Sequence, residues 1–428
     1  MKLIKYFSIA GLFAMLFLIW IGCEHEDIMT LGDISIEDKG SSLEIIVEPD
    51  DGIDRVNSLA NAINANGDAT YVLRRGGTYY VEGKTTCNYN VVIKAEPGTG
   101  DLPRIQPIMD ATGAMPSYIF EMYANSRFEN VYILSKDAAS GNLHDRAILL
   151  NKDSIRLELV NSYLEGGTSA TIRIQVKGCK VYITNSLLRN VSNPISPSNG
   201  RLVDTRGKSQ DSIVIRNSYC YNNTGQILRH DGSCTKYFEL SGNTFWHQAN
   251  VQNIDCPFET VIQNNIFANY AWKTGSSPDA AIWDVNISPV AKNGYDPAKM
   301  KITVRNNNFF NTADLEEIFA TTPLPVGQYR RTKLMTDATA ALVADGRFVY
   351  ENNFEEVLTF AYRPPLPVSW IKYFITNSGE MKACEDWFDV DEDGIEGIKI
   401  DAMYSFKYPM TSKSATASTT GGPIGAQW

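Results

Sequence analysis

Histidine is scarce in this chain, four residues in 428, and cysteine is limited to seven. His144, His230 and His247 share no metal-ligand spacing, and the cysteines form neither a CxxC pair nor a compact disulfide scaffold. No Ser-His-Asp arrangement, phosphate-binding loop or GxGxxG run is present. Positive charge is also in deficit: 39 Lys and Arg against 49 Asp and Glu leave a net charge of −10. That excludes nucleic acid as a partner, because phosphate binding needs a basic face. A membrane-spanning run is missing too, since FSIAGLFAMLFLIWIG is too short and too early to cross a bilayer.

What that run does have is the layout of an export signal. Lys2 and Lys5 precede it, and it ends at Gly22-Cys23, so Cys23 reads as a lipidated first residue. Trp20 stands where the general lipoprotein pattern prefers a small aliphatic residue. Loss of residues 1–22 with their two lysines takes the net charge from −10 to −12. Glu24, Glu26 and Asp27 follow, and an acidic cluster there resembles the surface-export signal of outer-membrane lipoproteins in glycan-harvesting Gram-negative bacteria. The resemblance implies an outer-membrane, cell-surface location with lipid as a partner; a plain anchor facing the periplasm is the alternative. Six cysteines remain (Cys87, Cys179, Cys220, Cys234, Cys256 and Cys384), and they read as interior thiols although an oxidising compartment permits disulfides.

The middle of the chain repeats. LELVNSYL, VYITNSLL, IVIRNSYC, FELSGNTF, VIQNNIF and ITVRNNNF share alternating apolar residues, then Asn, then an apolar residue three places on. The Asn position runs 161, 185, 217, then Gly242, 264 and 306, with gaps of 24, 25 and 22 for single coils and of 32 and 42 for coils carrying loops. Alternation at period two makes strands, and repetition at this length makes stacked units that share one core. Asn tolerates left-handed backbone and can form a side-chain ladder from coil to coil. The fold expected is all-β, a right-handed single-stranded parallel β-helix with an N-terminal capping helix and an irregular C-terminal tail.

The cap is placed at Asp54 to Asn66, with Val56, Leu59, Ala60 and Ile63 on one face and Asp54 as the capping residue. Helix, GGTYY turn and VVIKA strand follow in an order that resembles the entry of the pectate-lyase-like β-helix superfamily. Segments 1–22 (signal), 23–50 (lipid-anchored linker), 51–360 (β-helix) and 361–428 (tail) are expected. RFVYENNF is the last strand-like segment, and the three prolines of residues 362–367 exclude a central strand there.

Within GRLVDTRGKSQDSIVIRNSYCYNNTGQILRHDGSCTKYFELSGNTFWH, Lys208 and Arg229 are 21 residues apart (229 − 208), close to one coil. They are therefore expected to stack on neighbouring coils, about 5 Å apart. Lys208-Ser209, Leu228-Arg229-His230 and Gly242-Asn243-Thr244-Phe245 resemble the catalytic segment of the lyase family that holds chondroitinase B and the β-helical alginate lyases. That match spans about a tenth of the chain. It implies Lys208 as base and Arg229 as its assistant in β-elimination on a uronate polymer, with neighbouring cations lowering the lysine pKa. Arg201, Arg206, His230 and Trp246 are the candidate substrate-binding residues. The family places calcium-holding acids five and seven residues before the lysine; Val203 and Arg201 stand there, so Arg201 could supply the positive charge itself.

Two other readings stay open. Asp204-Thr205-Arg206 and Arg229-His230-Asp231 put opposite charges on adjacent coils, so Arg206 with Asp231 and Arg229 with Asp204 could simply pair. These elements, the acidic start and the GGPIGAQW end also resemble an uncharacterised family of β-helical surface lipoproteins. A non-catalytic glycan-binding surface is the other reading. Asp389, Asp391 and Asp393 with Gly394 fit the start of a calcium loop, but Ile400 stands where a bidentate Glu is expected, which favours a solvated turn. Trp272 and Trp283 read as core or loop packing before sugar platforms. The expected partner is an acidic polysaccharide, met by a monomer.

Overall fold

A computed structural model describes residues 43–376 and 404–428, apart from 53, 54, 111, 194–198, 251 and 256. Its strands form an eleven-stranded sheet A, a nine-stranded sheet B and a six-stranded sheet C, with a further three-stranded sheet. The chain visits A, B and C in turn: Arg156–Val160 lies in A, Tyr163–Glu165 in B, Ala170–Ile174 in C, and Lys180–Thr184 is back in A. The ladders between successive coils are parallel. This is a parallel β-helix, as the repeat predicts.

Period-two alternation sends one side chain set into the tube. Phe245, Phe267 and Phe309 occupy one register position on successive coils. Their rings stack at 4.9 and 4.7 Å with interplanar angles of 8° and 5°. Such pairs contribute ~0.5–1.5 kcal/mol beyond their area burial. The coil spacing of a sheet is thus also the spacing of an aromatic stack, and the sequence exploits it twice running.

The corner from sheet A to sheet B carries the repeated asparagines. Asn130, Asn161, Asn185, Asn217, Asn264, Asn306 and Asn352 all sit at φ between 45 and 58°, and Gly242 at 67° takes the position that lacks an Asn. The expected ladder runs mainly through the next residue instead. The Ser162 N–H donates to Ser186 Oγ, Ser186 to Ser218 Oγ, Ser218 to Asn243 Oδ1, Asn243 to Asn265 Oδ1, and Asn265 to Asn307 Oδ1, at 2.8–3.2 Å. These groups are buried, and a buried N–H left unpaired would cost ~1–3 kcal/mol. Left-handed Asn makes the turn; its neighbour makes the inter-coil bond.

The tube is entered through a short strand, Glu44–Val47, paired to Ala69–Leu73, so sheet A begins before residue 51. The capping helix spans Ser58–Asn66, burying Leu59 and Ile63 over the end of the core. Its first N–H, of Ser58, is served by the Asp50 carboxylate, which also accepts from Tyr80 N of the strand Thr78–Glu82; Asp54 lies outside the described residues. After Phe310 the chain forms helices at Ala313–Thr321 and Asp337–Ala344, then the last strand of sheet A, Phe348–Glu351.

Residues 404–428 lie along sheet B. The outward asparagines of the corner hold them: Asn264 accepts from Thr419 N, Asn306 donates to Ala417 O, and Asn217 accepts from Gln427 N. Gly425 sits at φ 80°, and a Cβ there would lie 2.7 Å from Ile266 and Thr244 side-chain atoms. Only glycine allows this approach. Phe406, Ile424 and Ala426 then cover Tyr219, Tyr221 and Trp246 on the outer face of sheet B.

Candidate anion-binding site

Sheet C ends at the strand Leu228–Arg229, and its outer face carries the charged residues. The register aligns Glu121, Leu149, Arg173, Asp204 and Arg229 on five successive coils. Arg146, Ala170 and Arg201 form a second column at the start of the same strands. One coil is therefore 25 residues here (229 − 204), and Arg229 stacks on Asp204. Lys208 does not share its level. Gln210 pairs with Thr235, so Lys208, two residues earlier, comes level with Ser233. The expected Lys208–Arg229 stack is thus corrected by four residues (25 − 21).

Both residues flank a pair of stacked turns. Arg206 (φ 50°) with Gly207 (φ 72°) and Asp231 (φ 55°) with Gly232 (φ 79°) give the double positive φ of type I′ turns. Lys208 N closes the first onto Thr205 O, and Ser233 N closes the second onto His230 O. Arg206 and Lys208 are carried outward on this projection and are exposed.

Asp204 is fully buried and shared by three guanidinium groups: Arg173 at 3.3 Å, Arg201 at 3.7 Å and Arg229 at 3.7 Å. Arg229 makes a tighter bond to Asp231, 2.8 Å. Half of the expected crossed pairing is therefore present, Arg229 with Asp204. The other half is replaced, because Asp231 turns to Arg229 and Arg206 makes no ion pair among the described residues. Arg146 joins the group, bonded to Asp145 at 2.6 Å and lying over the Tyr118 ring.

Five guanidinium groups thus face three carboxylates, Asp145, Asp204 and Asp231. Burial pushes Arg173 down to about 10, with Arg146 adding to the effect and Asp204 opposing it. Burial likewise lowers Arg146 and Arg201, again against the pull of neighbouring Asp carboxylates. The Nε atoms of Arg146, Arg173 and Arg201 are buried without a hydrogen-bond partner. Burial accounts for these shifts, while the excess of guanidinium over carboxylate groups leaves the cluster short of negative charge, so an incoming anion would stabilise its charged form. The Arg229 side chain, 24% exposed, and Arg206 present that excess to solvent.

Glycine positions Arg201. Gly225 N donates to Gly200 O, and a Cβ on Gly225 would lie 2.8 Å from Arg201 Cγ. Arg201 Nη1 is further held by Asn199 Oδ1 at 2.8 Å.

Two candidate binding residues are removed from the site. His230 is 1% exposed, faces the core, and bonds Thr235 Oγ1; burial pushes it down to about 3. It follows Arg229 directly, and adjacent strand residues point to opposite faces. Trp246 is on sheet B, fully buried under Phe360 and Phe406 with the Arg363 guanidinium over its ring. Trp272 and Trp283 are packed in the interior as expected. Cys87, Cys179 and Cys220 are buried thiols, but Cys234 is disulfide-bonded, against the expectation for it.

The calcium implied by the lyase resemblance finds no fit. Val203 packs inside the tube, and Arg201 brings a positive charge to the other ligand position. No cluster of His, Cys, Asp and Glu able to hold a metal occurs among the described residues. Asp389, Asp391, Asp393 and Cys23 lie outside those residues. Arg146 and Arg173, which complete the cluster, escaped the sequence reading; the only signal for them is the register, hidden by coil offsets of 24 (170 − 146) and 31 (204 − 173).

No protein-family model and no curated protein matches the chain. Among solved structures, it is similar to a mutant of the PL6 family alginate lyase AlyGC, with TM-score 0.48 and 15% identity over 74% of this chain. The chain spans 40% of that lyase's length. It is similar to pectate lyase Pel9A, with TM-score 0.44 and 12% identity over 90% of this chain and 96% of the other. The pectin methylesterase of Aspergillus niger aligns with TM-score 0.35 and 13% identity over 62% of this chain and 83% of its own. All three are parallel β-helix proteins.

Proposed function

We propose that this chain binds an acidic, uronate-containing polysaccharide on the outer face of sheet C, as an exported lipoprotein anchored at Cys23 in the outer membrane and facing the cell surface. The observation that carries the binding assignment is the shared Asp204: three arginines draw on one buried carboxylate, and two more stand within their field. Uronate carboxylates fit because a guanidinium pairs with them in a bidentate fork. The protein's net charge of −10 makes such a patch selective, since the remaining surface repels the same polymer.

Binding without cleavage is the reading favoured here. Elimination needs a base beside the cation that neutralises the uronate, and the register moves Lys208 four residues off the level of Arg229. The test combines retention of the protein in gels containing alginate, pectate or glycosaminoglycans with a search for unsaturated, ultraviolet-absorbing products. Retention by at least one polymer without product is the expected result. Failure to be slowed by any acidic polymer would remove the proposal, and product formation lost in Lys208→Ala would replace it with a lyase.

A further inference from the structure

Sheet B carries a second surface, where residues 404–428 border the outer face of its earlier coils. Arg104, Tyr132, Tyr163, Leu187 and Tyr219 share one outward register column on successive coils. Two cavities meet at Tyr163. One, about 480 Å³, is lined by Arg104, Tyr132, Tyr163 and Arg189 together with the turns at 76–78 and 100–102. The other, about 230 Å³, runs between Tyr163, Tyr219, Tyr404, Phe406 and Trp428. Trp428 is 39% exposed. Its indole Nε1 is fixed on Asn217 O at 2.7 Å, and its ring lies nearly parallel to that of Tyr163, at 21° and 6.2 Å.

The electrostatics differ from those of sheet C. Glu165 on the floor is saturated: it accepts from Tyr132 Oη at 2.5 Å, Arg189 Nε at 2.7 Å and Asn190 Nδ2 at 2.8 Å. Arg189 in turn donates to Tyr221 Oη. Arg104 lies over the Tyr132 ring, and Asp101 lines the same cavity. Two arginines and two carboxylates cancel, so nothing here selects an anion. The groove instead offers the half-buried Tyr163 and the exposed Trp428, their rings 6.2 Å apart, edged by hydrogen-bonding groups.

We infer that this groove takes a neutral pyranose chain lying along the solenoid axis, with sugar rings against Tyr163 and Trp428 and hydroxyls toward Arg104 and Asp101. Pyranose rings have apolar faces and polar edges, which matches aromatic side chains that pair an apolar body with a polar rim. The volumes fall within the ordinary range for ligand clefts when the two join. The site stands on its own observations and does not depend on the arginine cluster. With both occupied, one glycan carrying acidic and neutral stretches would be held at two points, and avidity would exceed either affinity alone.

The test uses the full chain and a panel of neutral polysaccharides: β-glucan, mannan, galactan, arabinoxylan and carboxyl-reduced alginate. At least one is expected to retard the protein and to shift the emission of exposed Trp428. Tyr163→Leu, which copies the residue at the same register on the next coil, and Arg104→Ala should each weaken that retention about tenfold. Arg201→Ala and Arg229→Ala should leave it unchanged. The inference is overturned if no neutral polymer binds, or if Tyr163→Leu with a wild-type melting temperature binds as tightly as the parent. Neutral binding lost only in the arginine variants would assign the ligand to sheet C and overturn it equally.

Discussion

Sheets B and C leave the same coils at the same spacing, yet their outer faces are finished in opposite ways. The later coils of sheet B carry Tyr219, Tyr221, Trp246, Ile266 and Phe310 outward and are sealed by Phe360, Phe406 and Ile424. Sheet C stops at Arg229 and, among the described residues, exposes the charge of Arg206 and Arg229. In a solenoid the inward residues are dictated by the core, so the outward residues are free to differ sheet by sheet. One face became a second hydrophobic interface and the other an electrostatic one.

The largest effect that would break this contrast is at Trp246. If it is packing under residues 360 and 406, Trp246→Ala should destabilise the protein by ~3–5 kcal/mol in denaturant titration, while the folded fraction retains acidic glycan binding unchanged. Asp204→Ala should follow at ~3 kcal/mol, because it leaves the Arg173 and Arg201 guanidinium groups buried without their carboxylate partner. The same variant should bind an acidic polymer more tightly per folded molecule, as the site then lacks more negative charge. Gly425→Val should cost ~1–3 kcal/mol by forcing the covering segment off Ile266 and Thr244, and proteolysis should then release residues near 404–428 first.

A smaller effect comes from pH. His230 is pushed down to about 3 and His247 well below its usual 6.5, both by burial, and His144 is lowered for the same reason. The unfolded chain takes up these protons near pH 6.5 while the folded chain refuses them. Stability is therefore fully present above pH 6.5 and declines as pH falls toward 3, with a slope up to ~1.4 kcal/mol per pH unit for each histidine. Urea midpoints at pH 7 and 5 check this, and His230→Phe should flatten the difference.

The corner was the most legible part of the chain. Asn at 161, 185, 217, 264 and 306 announced the repeat, and each of these residues adopts the left-handed turn the pattern requires. The expected Asn ladder is present in part, since Asn217 Nδ2 donates to Asn185 Oδ1, while the continuous run of bonds passes through the next residue, serine at 162, 186 and 218 and asparagine at 243 and 265. Sheet C was harder. Its strands follow a turn whose length changes from coil to coil, so the 21-residue spacing of Lys208 and Arg229 looked like one coil where the register is 25. His230 could have been assigned inward from strand alternation alone. Burial of Trp246 depends on residues more than a hundred positions later, and nothing local signals it.

The central claim is that the arginines around Asp204, and not Lys208, hold an acidic glycan. Calorimetric titration of a uronate polymer into wild type, Arg229→Ala and Lys208→Ala tests it most directly. The account predicts at least a tenfold loss for Arg229→Ala, weakening of wild-type binding as salt rises, and a change under about twofold for Lys208→Ala. Equal binding by wild type and Arg229→Ala, with loss confined to Lys208→Ala, would contradict it.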